Sequence, residues 1–184
     1  MASKNIIFIQ YYKTTIGELI IGCFENQICV LDFRYRKMRS AIDQRIQTAL
    51  NAVYYEKEMP LLRTARLQIK AYLNGSREEF TLPIKMVGTP FQVSVWNALK
   101  TIPYGATMTY LELAQQIGDE KAVRAVATAN GANAIALIIP CHRVIGSDNK
   151  LVGYAGGLPV KKSLLKLERA HSENPNELPL DFTE

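Results

Sequence analysis

Residues 134–144 read Ala-Ile-Ala-Leu-Ile-Ile-Pro-Cys-His-Arg-Val, an apolar run that stops at a proline and continues into a thiol and an imidazole. The run is typical of a buried strand or an extended core segment, although periodicity alone does not separate these from a helix. Pro140 stops regular structure, which puts Cys141 at the mouth of the core. A cysteine beside His142, one of two histidines in the chain, is a candidate nucleophile with its base. A small buried hydrophobe is the alternative interpretation.

The composition is that of an ordinary globular protein. With 184 residues, the chain is long enough for one large domain or two small ones. No apolar stretch approaches the roughly 20 residues that a membrane span needs, and the apolar residues 6–9 are too few for a secretory signal. We therefore expect a soluble protein of the cytoplasm, or of the nucleus in a eukaryote. Three cysteines, an odd count, argue against a disulfide framework.

The net charge of +5 is compatible with a polyanionic partner such as nucleic acid. The basic excess is spread over both halves of the chain, so charge by itself does not locate a nucleic-acid face. Residues 172–184 are acidic and carry two prolines. We expect this tail to be poorly ordered and dispensable.

The first half alternates strand and helix signals. Residues 5–12 and 17–35 predict strands, with a hairpin turn at Glu25-Asn26-Gln27. Apolar residues at helical spacing predict a helix over 39–58, and a second helix over 61–74 that Gly75 ends. A break at Val87-Gly88 marks the predicted domain boundary, so residues 1–86 form a small α/β domain.

The second half carries clear helix starts. Thr89, Pro90 and Gln92 form a capping box that opens a helix running to about residue 100. Thr109 opens a second, short helix that Gly118 ends, and Asp119 caps a third over 120–130. Two short helices joined by a tight turn are typical of a helix-turn-helix. Any other αα-hairpin has the same signature.

The signature at residues 140–145, Pro-Cys-His-Arg-Val-Ile, resembles the active-site motif of the O6-alkylguanine-DNA alkyltransferases, a family of single-use DNA repair proteins. Further blocks of that family occur in the right order: Phe91-Gln92-x-x-Val95-Trp96-x-Ala98-Leu99, Ile102-Pro103-Tyr104-Gly105, Thr109-Tyr110-x-x-Leu113-Ala114, Arg124-Ala125-Val126, Asn133 and Gly153-Tyr154-Ala155-Gly156-Gly157. The resemblance is dense over residues 89–169 and weaker over the first 86. It implies an α/β (α+β) fold with a ribonuclease-H-like domain at 1–86, a winged helix-turn-helix alkyltransferase domain at 87–171 and a tail at 172–184.

The resemblance also implies a reaction. In the family, the cysteine that matches Cys141 removes the alkyl group from O6 of guanine after the base has been turned out of the duplex. His142, through a water, takes the thiol proton, and Glu168 holds the histidine. Tyr110 matches the tyrosine that helps rotate the nucleotide and protonates the leaving guanine. The product is a thioether, so each molecule acts once.

Other positions match residues that bind DNA or the base. The helix over 120–130 corresponds to one that lies in the minor groove of double-stranded DNA, with Arg124 inserted into the base stack. Small residues on that helix, including Ala125 and Ala129, let it lie close to DNA. The remaining matches are Asn133, which ties the turn before the active site, the carbonyl of Val144, which reads the guanine amino group, and the backbone of Tyr154 and Ala155, which contacts O6. The family usually has proline at 134, where this chain has alanine, and the change is expected to loosen the turn without abolishing activity.

We expect no cofactor and no metal. Some family members hold zinc with two cysteines and two histidines in the N-terminal domain. Here Cys23 and Cys29 are near each other in sequence, but His142 is committed and His171 lies near the C-terminus. Because a structural zinc site needs four ligands, the two thiols are interpreted as core residues on adjacent strands.

Three other functions share parts of the pattern. A protein that binds alkylated DNA without transfer lacks the nucleophilic cysteine, which Cys141 supplies here. A helix-turn-helix transcription regulator needs a dimerisation or effector segment, and no obvious one is present; we expect a monomer. A thiol hydrolase has no supporting signature beyond the adjacency of Cys141 and His142.

Overall fold

A computed structural model describes residues 4–172 of the chain. Its first half is built on a four-stranded sheet in the order β3-β2-β1-β4. The strands are β1 (Asn5–Thr14), β2 (Gly17–Phe24), β3 (Gln27–Phe33) and β4 (Ala52–Glu56). The first three strands run antiparallel, and β4 is parallel to β1. Glu25 and Asn26 both have positive φ angles at the β2–β3 turn, where the sequence predicts a hairpin.

The helix predicted over 39–58 is wrong over residues 50–58. Helix α1 (Arg39–Ala49) ends early, and Asn51, with a φ of 44°, turns the chain into β4. The pairing of β4 with β1 buries Ala52 and leaves Val53 exposed. Sheet pairing at this position therefore outweighs the helical spacing of the apolar residues. Helix α2 (Pro60–Leu73) agrees with the prediction.

Helices dominate the second half. They are α3 (Pro90–Leu99), α4 (Tyr110–Gln116), α5 (Val123–Gly131) and α6 (Leu158–His171). The capping boxes at Thr89 and Thr109 are both formed. Asp119 caps a 3₁₀ turn over Glu120–Ala122, so the third helix begins three residues later than predicted. Two short parallel strands, β5 (Met108–Thr109) and β6 (Val144–Ile145), complete this half.

The apolar run at 134–139 is buried without being a regular strand. Leu31 of β3 donates its N–H to the carbonyl of Ala134 (2.8 Å), and its own carbonyl accepts from Ala136 (2.6 Å). Leu137 then takes a positive φ of 70°. The segment that leads into the active-site motif is therefore hydrogen-bonded to the edge strand of the N-terminal sheet.

One hydrophobic cluster spans both halves of the chain. It joins Ile69 of α2 to Trp96 of α3 and to Cys141. Residues 74–89 between α2 and α3 form neither a helix nor a strand, apart from a single bridge at Ile84. The domain boundary at residue 87 stays a prediction. Of the acidic tail predicted at 172–184, residues 173–184 lie outside the described residues.

Within residues 4–172, none of the helices combines the length and the apolar character required to traverse a bilayer.

Candidate active site and DNA-facing surface

A cavity of about 610 Å³ opens onto the candidate nucleophile. Three parts of the chain line it besides Cys141: residues 35–38 after β3, the C-terminal turn of α5 with Asn133, and residues 153–157 before α6. Tyr110 at the start of α4 closes one side. The site thus draws on both halves of the chain, whereas the sequence predicts only second-half residues.

Cys141 lies in a 3₁₀ turn over Cys141–Arg143, and 4% of its surface is exposed. Burial raises the pKa of the thiol, and the side-chain amide of Asn133, which donates to Sγ at 3.2 Å, opposes that shift. The resting group is therefore a thiol that needs a base. Asn133 also donates to the Ile139 carbonyl (2.9 Å) and accepts from the Ile135 N–H (2.9 Å). The predicted turn-binding asparagine thus contacts the sulfur as well.

The His142 side chain does not line the cavity and is buried in the core. Its Nε2 lies 2.7 Å from Oε1 of Glu168, and both side chains are fully buried. Since a carboxylate only accepts, Nε2 carries the ring proton and Nδ1 keeps its lone pair. Nδ1 has no hydrogen-bond partner within residues 4–172. Burial lowers the pKa of His142, and Glu168 opposes that shift, so the ring rests neutral with one nitrogen available as a base.

Glu168 is held by several donors at once. Arg143 donates from Nε to Oε2 (2.9 Å) and from Nη2 to Oε1 (3.0 Å), and the Gly105 N–H donates to Oε2 (3.2 Å). The hydroxyl of Tyr72 also donates to Oε1. Burial by itself raises the pKa of Glu168, but the His142 and Arg143 contacts outweigh it and hold the pKa well below its usual range. The carboxylate is therefore charged and fixed.

Replacing Glu168 with glutamine is expected to weaken both the fold and the proton relay predicted for Cys141, His142 and Glu168, called the relay below. Arg143 is left as a buried cation without its counter-charge, which costs about 3–5 kcal/mol of unfolding free energy. His142 loses its charged acceptor, so the alkyl transfer that the family resemblance implies should fall by about a hundredfold. Urea unfolding and single-turnover kinetics measure the two effects. Glu56→Gln, at an exposed position on β4, is the matched control.

The stability difference depends on pH in a defined direction. The folded pKa of Glu168 is depressed, so its contribution is present above the unfolded value of about 4.3 and is lost as pH falls toward the folded value. The gap in unfolding free energy between wild type and Glu168→Gln should therefore be widest near neutral pH and narrow below about pH 4. A gap that stays constant between pH 7 and pH 3 contradicts the assigned charge.

Tyr110 stands at the first turn of α4 and faces the cavity. Its hydroxyl accepts a hydrogen bond from Nδ2 of Asn130 at 3.3 Å. Burial raises the pKa of Tyr110 to about 12, so the phenol keeps its proton at neutral pH. The same Asn130 amide lies 3.5 Å from the Cys141 carbonyl. Asn130 is absent from the sequence prediction because a helical asparagine carries no signal of its own.

The loop that carries Tyr154 and Ala155 lines the cavity. The Tyr154 ring packs edge-on against Phe33 of β3, with ring centroids 5.6 Å apart. Lys161 of α6 is fully buried and donates to the carbonyls of Val144 (2.6 Å) and Val152 (2.6 Å). Burial lowers the pKa of this lysine to about 8. The Val144 carbonyl, which is predicted to read guanine, is thus already bonded to an ammonium that anchors the loop. The sequence prediction does not include this role of Lys161.

The outer surface of α5 agrees only in part with the prediction. Arg124 and Ala125 are exposed, and the Arg124 guanidinium makes no hydrogen bond or ion pair within the described chain. The prediction that Ala129 faces DNA is corrected here, because only 3% of its surface is exposed and its carbonyl accepts a hydrogen bond from the Trp96 indole (2.8 Å). Its side chain belongs to the core and cannot face DNA. Ala127, one turn after Arg124, lines the cavity instead.

An arginine of the first half supports the turn that precedes the active-site motif. Arg36 forms an ion pair with the buried Asp32 (2.8 Å) and donates to the Asn133 carbonyl (3.0 Å) and to the Gly131 carbonyl. It therefore fixes the backbone on both sides of Ala132. In this chain, where alanine replaces the family's usual proline at 134, these bonds and those of Asn133 hold the turn.

Cys23 on β2 and Cys29 on β3 are buried, on adjacent strands as predicted. They pack into different hydrophobic clusters, so their side chains lie on opposite faces of the sheet. Burial raises the pKa of Cys29 to about 12. No group of three or more histidine, cysteine, aspartate or glutamate side chains suited to a metal occurs in the described part of the chain.

Two family models match this chain. The first, the ribonuclease-like domain of 6-O-methylguanine DNA methyltransferase, covers residues 7–86. The second, the DNA-binding domain of the same family, covers residues 90–170. Together they span both halves of the fold and include every residue of the relay.

Individual relatives agree with these models. The chain is 46% identical over 156 residues to the methylated-DNA–protein-cysteine methyltransferase of Methanosarcina barkeri, covering 85% of this chain and 93% of the relative. It is 42% identical to the constitutive Bacillus subtilis enzyme of that name over 85% of this chain and 92% of the relative. Mycobacterium tuberculosis OGT, solved in complex with DNA, superposes with a TM-score of 0.76 at 37% identity, over 90% of this chain and 94% of that one. The two family models and these relatives show that the chain belongs to the 6-O-methylguanine DNA methyltransferase family.

Proposed function

We propose that this protein is a methylated-DNA–protein-cysteine methyltransferase that repairs O6-alkylguanine by direct reversal. The Cys141 thiolate attacks the alkyl carbon, the carbon–O6 bond breaks, and the electron pair stays on guanine. The alkyl group ends as a thioether on Sγ, which no ordinary leaving chemistry reverses. Each molecule therefore turns over once, as a monomer in the cytoplasm and without a cofactor.

Proton transfer accompanies the displacement at both ends. His142 takes the thiol proton through a bridging water, because its Nδ1 lone pair is available and its other nitrogen is bonded to Glu168. Tyr110 donates its hydroxyl proton to the departing guanine so that it leaves as a neutral base, and water then reprotonates the phenolate. The position of Tyr110 on the wall of the cavity supports this assignment, since it places a protonated phenol beside the bound base.

Recognition of DNA rests on base flipping. An alkyl group on O6 lies inside the duplex, so the nucleotide must leave the stack before the buried thiol can reach it. We infer that α5 enters the minor groove, that Arg124 fills the vacated stack, and that Ala125 permits close approach. The cavity wall at Ala127 is three residues from Arg124, about 4.5 Å along the helix axis, and this short distance supports the assignment.

The observation that carries the proposal is the arrangement of Cys141 at the base of the cavity with the His142–Glu168 pair behind it. A protein that only binds lesions has no use for a nucleophile, and a transcription regulator has no use for a relay. Neither alternative therefore explains why a cysteine in the cavity is paired with a buried histidine and glutamate.

Mass spectrometry of the intact protein tests the proposal. Incubation with a duplex containing one O6-methylguanine should add one methyl group per protein molecule and then stop, even with DNA in excess. Peptide mapping should place the methyl group on Cys141 rather than on Cys23 or Cys29. An unmethylated duplex is the control. Unchanged protein mass, or repeated turnover, contradicts the mechanism.

A further inference from the structure

Tyr72 is a relay contact that comes from the N-terminal half. It lies on α2, is fully buried, and is separated from His142 by 70 residues and from Glu168 by 96. Its hydroxyl donates to Oε1 of Glu168 and lies 3.3 Å from Nε2 of His142. The relay therefore extends beyond the catalytic motif into the other half of the molecule.

The hydroxyl shares an acceptor with the histidine. Oε1 of Glu168 receives Tyr72, the His142 ring proton at 2.7 Å, and Nη2 of Arg143 at 3.0 Å. A carboxylate oxygen that already accepts several hydrogen bonds binds each further proton less strongly, because its negative charge is partly offset. With the tyrosine proton committed to Oε1, Nε2 must carry its own hydrogen to bond there.

We propose that Tyr72 is a positioning residue of the relay: its hydroxyl fixes the carboxylate oxygen that receives the His142 ring proton and weakens the pull of that oxygen on the ring. The kinetic test of this inference rests on the proposed function, whereas its NMR test does not. Tyr72 touches neither the substrate nor the sulfur. Its effect reaches Cys141 through Glu168 and His142, in that order.

Packing keeps the hydroxyl in place. The Tyr72 ring contacts Phe80, with centroids 5.2 Å apart, and Tyr104, with centroids 6.1 Å apart. The charged and titratable groups around the His142 ring are Glu168 and Lys161 of α6, Arg143 and Cys141 of its own turn, Tyr72 of α2, and Tyr154 of the loop before α6. Of these groups, Tyr72 allows the simplest test. Its replacement by phenylalanine keeps the ring and removes the hydrogen bond to Glu168.

Replacing Tyr72 with phenylalanine is expected to make His142 more basic. Oε1 loses a donor, pulls harder on the Nε2 hydrogen, and thereby raises the basicity of Nδ1. The pKa of His142 should rise by about one unit. The acid limb of the pH–rate profile for methyl transfer should move to higher pH by a similar amount, while the rate on the alkaline plateau stays within about twofold.

The matched control is Tyr104→Phe. The Tyr104 hydroxyl is buried nearby but has no hydrogen-bond partner among the described residues, so its removal should leave the acid limb in place. Thermal unfolding of both variants distinguishes a loss of core packing from a change in the pKa of His142. An acid limb that stays at the wild-type pH in Tyr72→Phe, whatever the plateau rate, overturns the proposal. A shift of the acid limb to lower pH in Tyr72→Phe also overturns the proposal. So does an equal shift of the acid limb in Tyr104→Phe.

Nitrogen-15 NMR of the imidazoles gives a readout that does not depend on methyl transfer. The chain has two histidines, so His142 is assigned by elimination against His171, whose Nδ1 lies 2.8 Å from the Leu167 carbonyl on the last turn of α6. In Tyr72→Phe the His142 titration should move upward and the His171 titration should not. If wild type transfers no methyl group, the proposed function fails, and the NMR titration still decides the role of Tyr72.

Discussion

Replacing Cys141 with alanine is expected to abolish methyl transfer and to leave the affinity for DNA unchanged. Alanine has no nucleophile, and the relay behind it cannot act without the thiol. The binding surface proposed on α5 is untouched because Cys141 lies at the base of the cavity with 4% of its surface exposed. Intact-mass analysis after incubation with methylated duplex measures transfer, and a fluorescence anisotropy titration measures binding.

The other two cysteines are the matched controls for this variant. Cys23→Ser and Cys29→Ser place a hydroxyl in the buried sheet, so they should lose stability at most and still accept one methyl group. Substantial methyl transfer by Cys141→Ala would show that another side chain is the acceptor and that the assigned relay is wrong.

Replacing Arg124 with alanine is expected to slow repair of duplex DNA by about a hundredfold while sparing the chemical step. The variant removes the group proposed to fill the vacated stack, which supports the extrahelical base by a few kcal/mol. Reaction with free O6-alkylguanine needs no flipping, and Arg124 makes no contact with Cys141, His142 or Glu168. The rate with the free base should therefore stay near the wild-type value.

Both rates are measured on one preparation, with Lys121→Ala as the control. Lys121 is an exposed cation on the 3₁₀ turn before α5, so its loss removes a charge without removing the inserted side chain. Lys121→Ala should weaken duplex repair only modestly. If Arg124→Ala slows the duplex and free-base reactions equally, Arg124 supports the fold or the cavity, and the inserted role is incorrect.

The sequence by itself determined those features whose causes are local. The capping boxes at Thr89 and Thr109 appear as predicted because their partners stand three residues away. The Pro-Cys-His-Arg motif predicts the nucleophile and its base, and the ordered blocks around it indicate the family, which the family models confirm. Strands β1 to β3 and their turn also follow from alternation and turn residues that lie close together in sequence.

Only the tertiary structure decided features that depend on partners far away in the chain. The end of helix α1 was mispredicted because β4 pairs with β1, more than 40 residues earlier, and such pairing leaves no mark in local periodicity. Ala129 was assigned to DNA because its size is visible in sequence, whereas its burial against Trp96 is not. Tyr72 reaches Glu168 across 96 residues through packing of α2. A buried hydrogen bond of this kind is fixed by the geometry of the whole core, which no local pattern encodes.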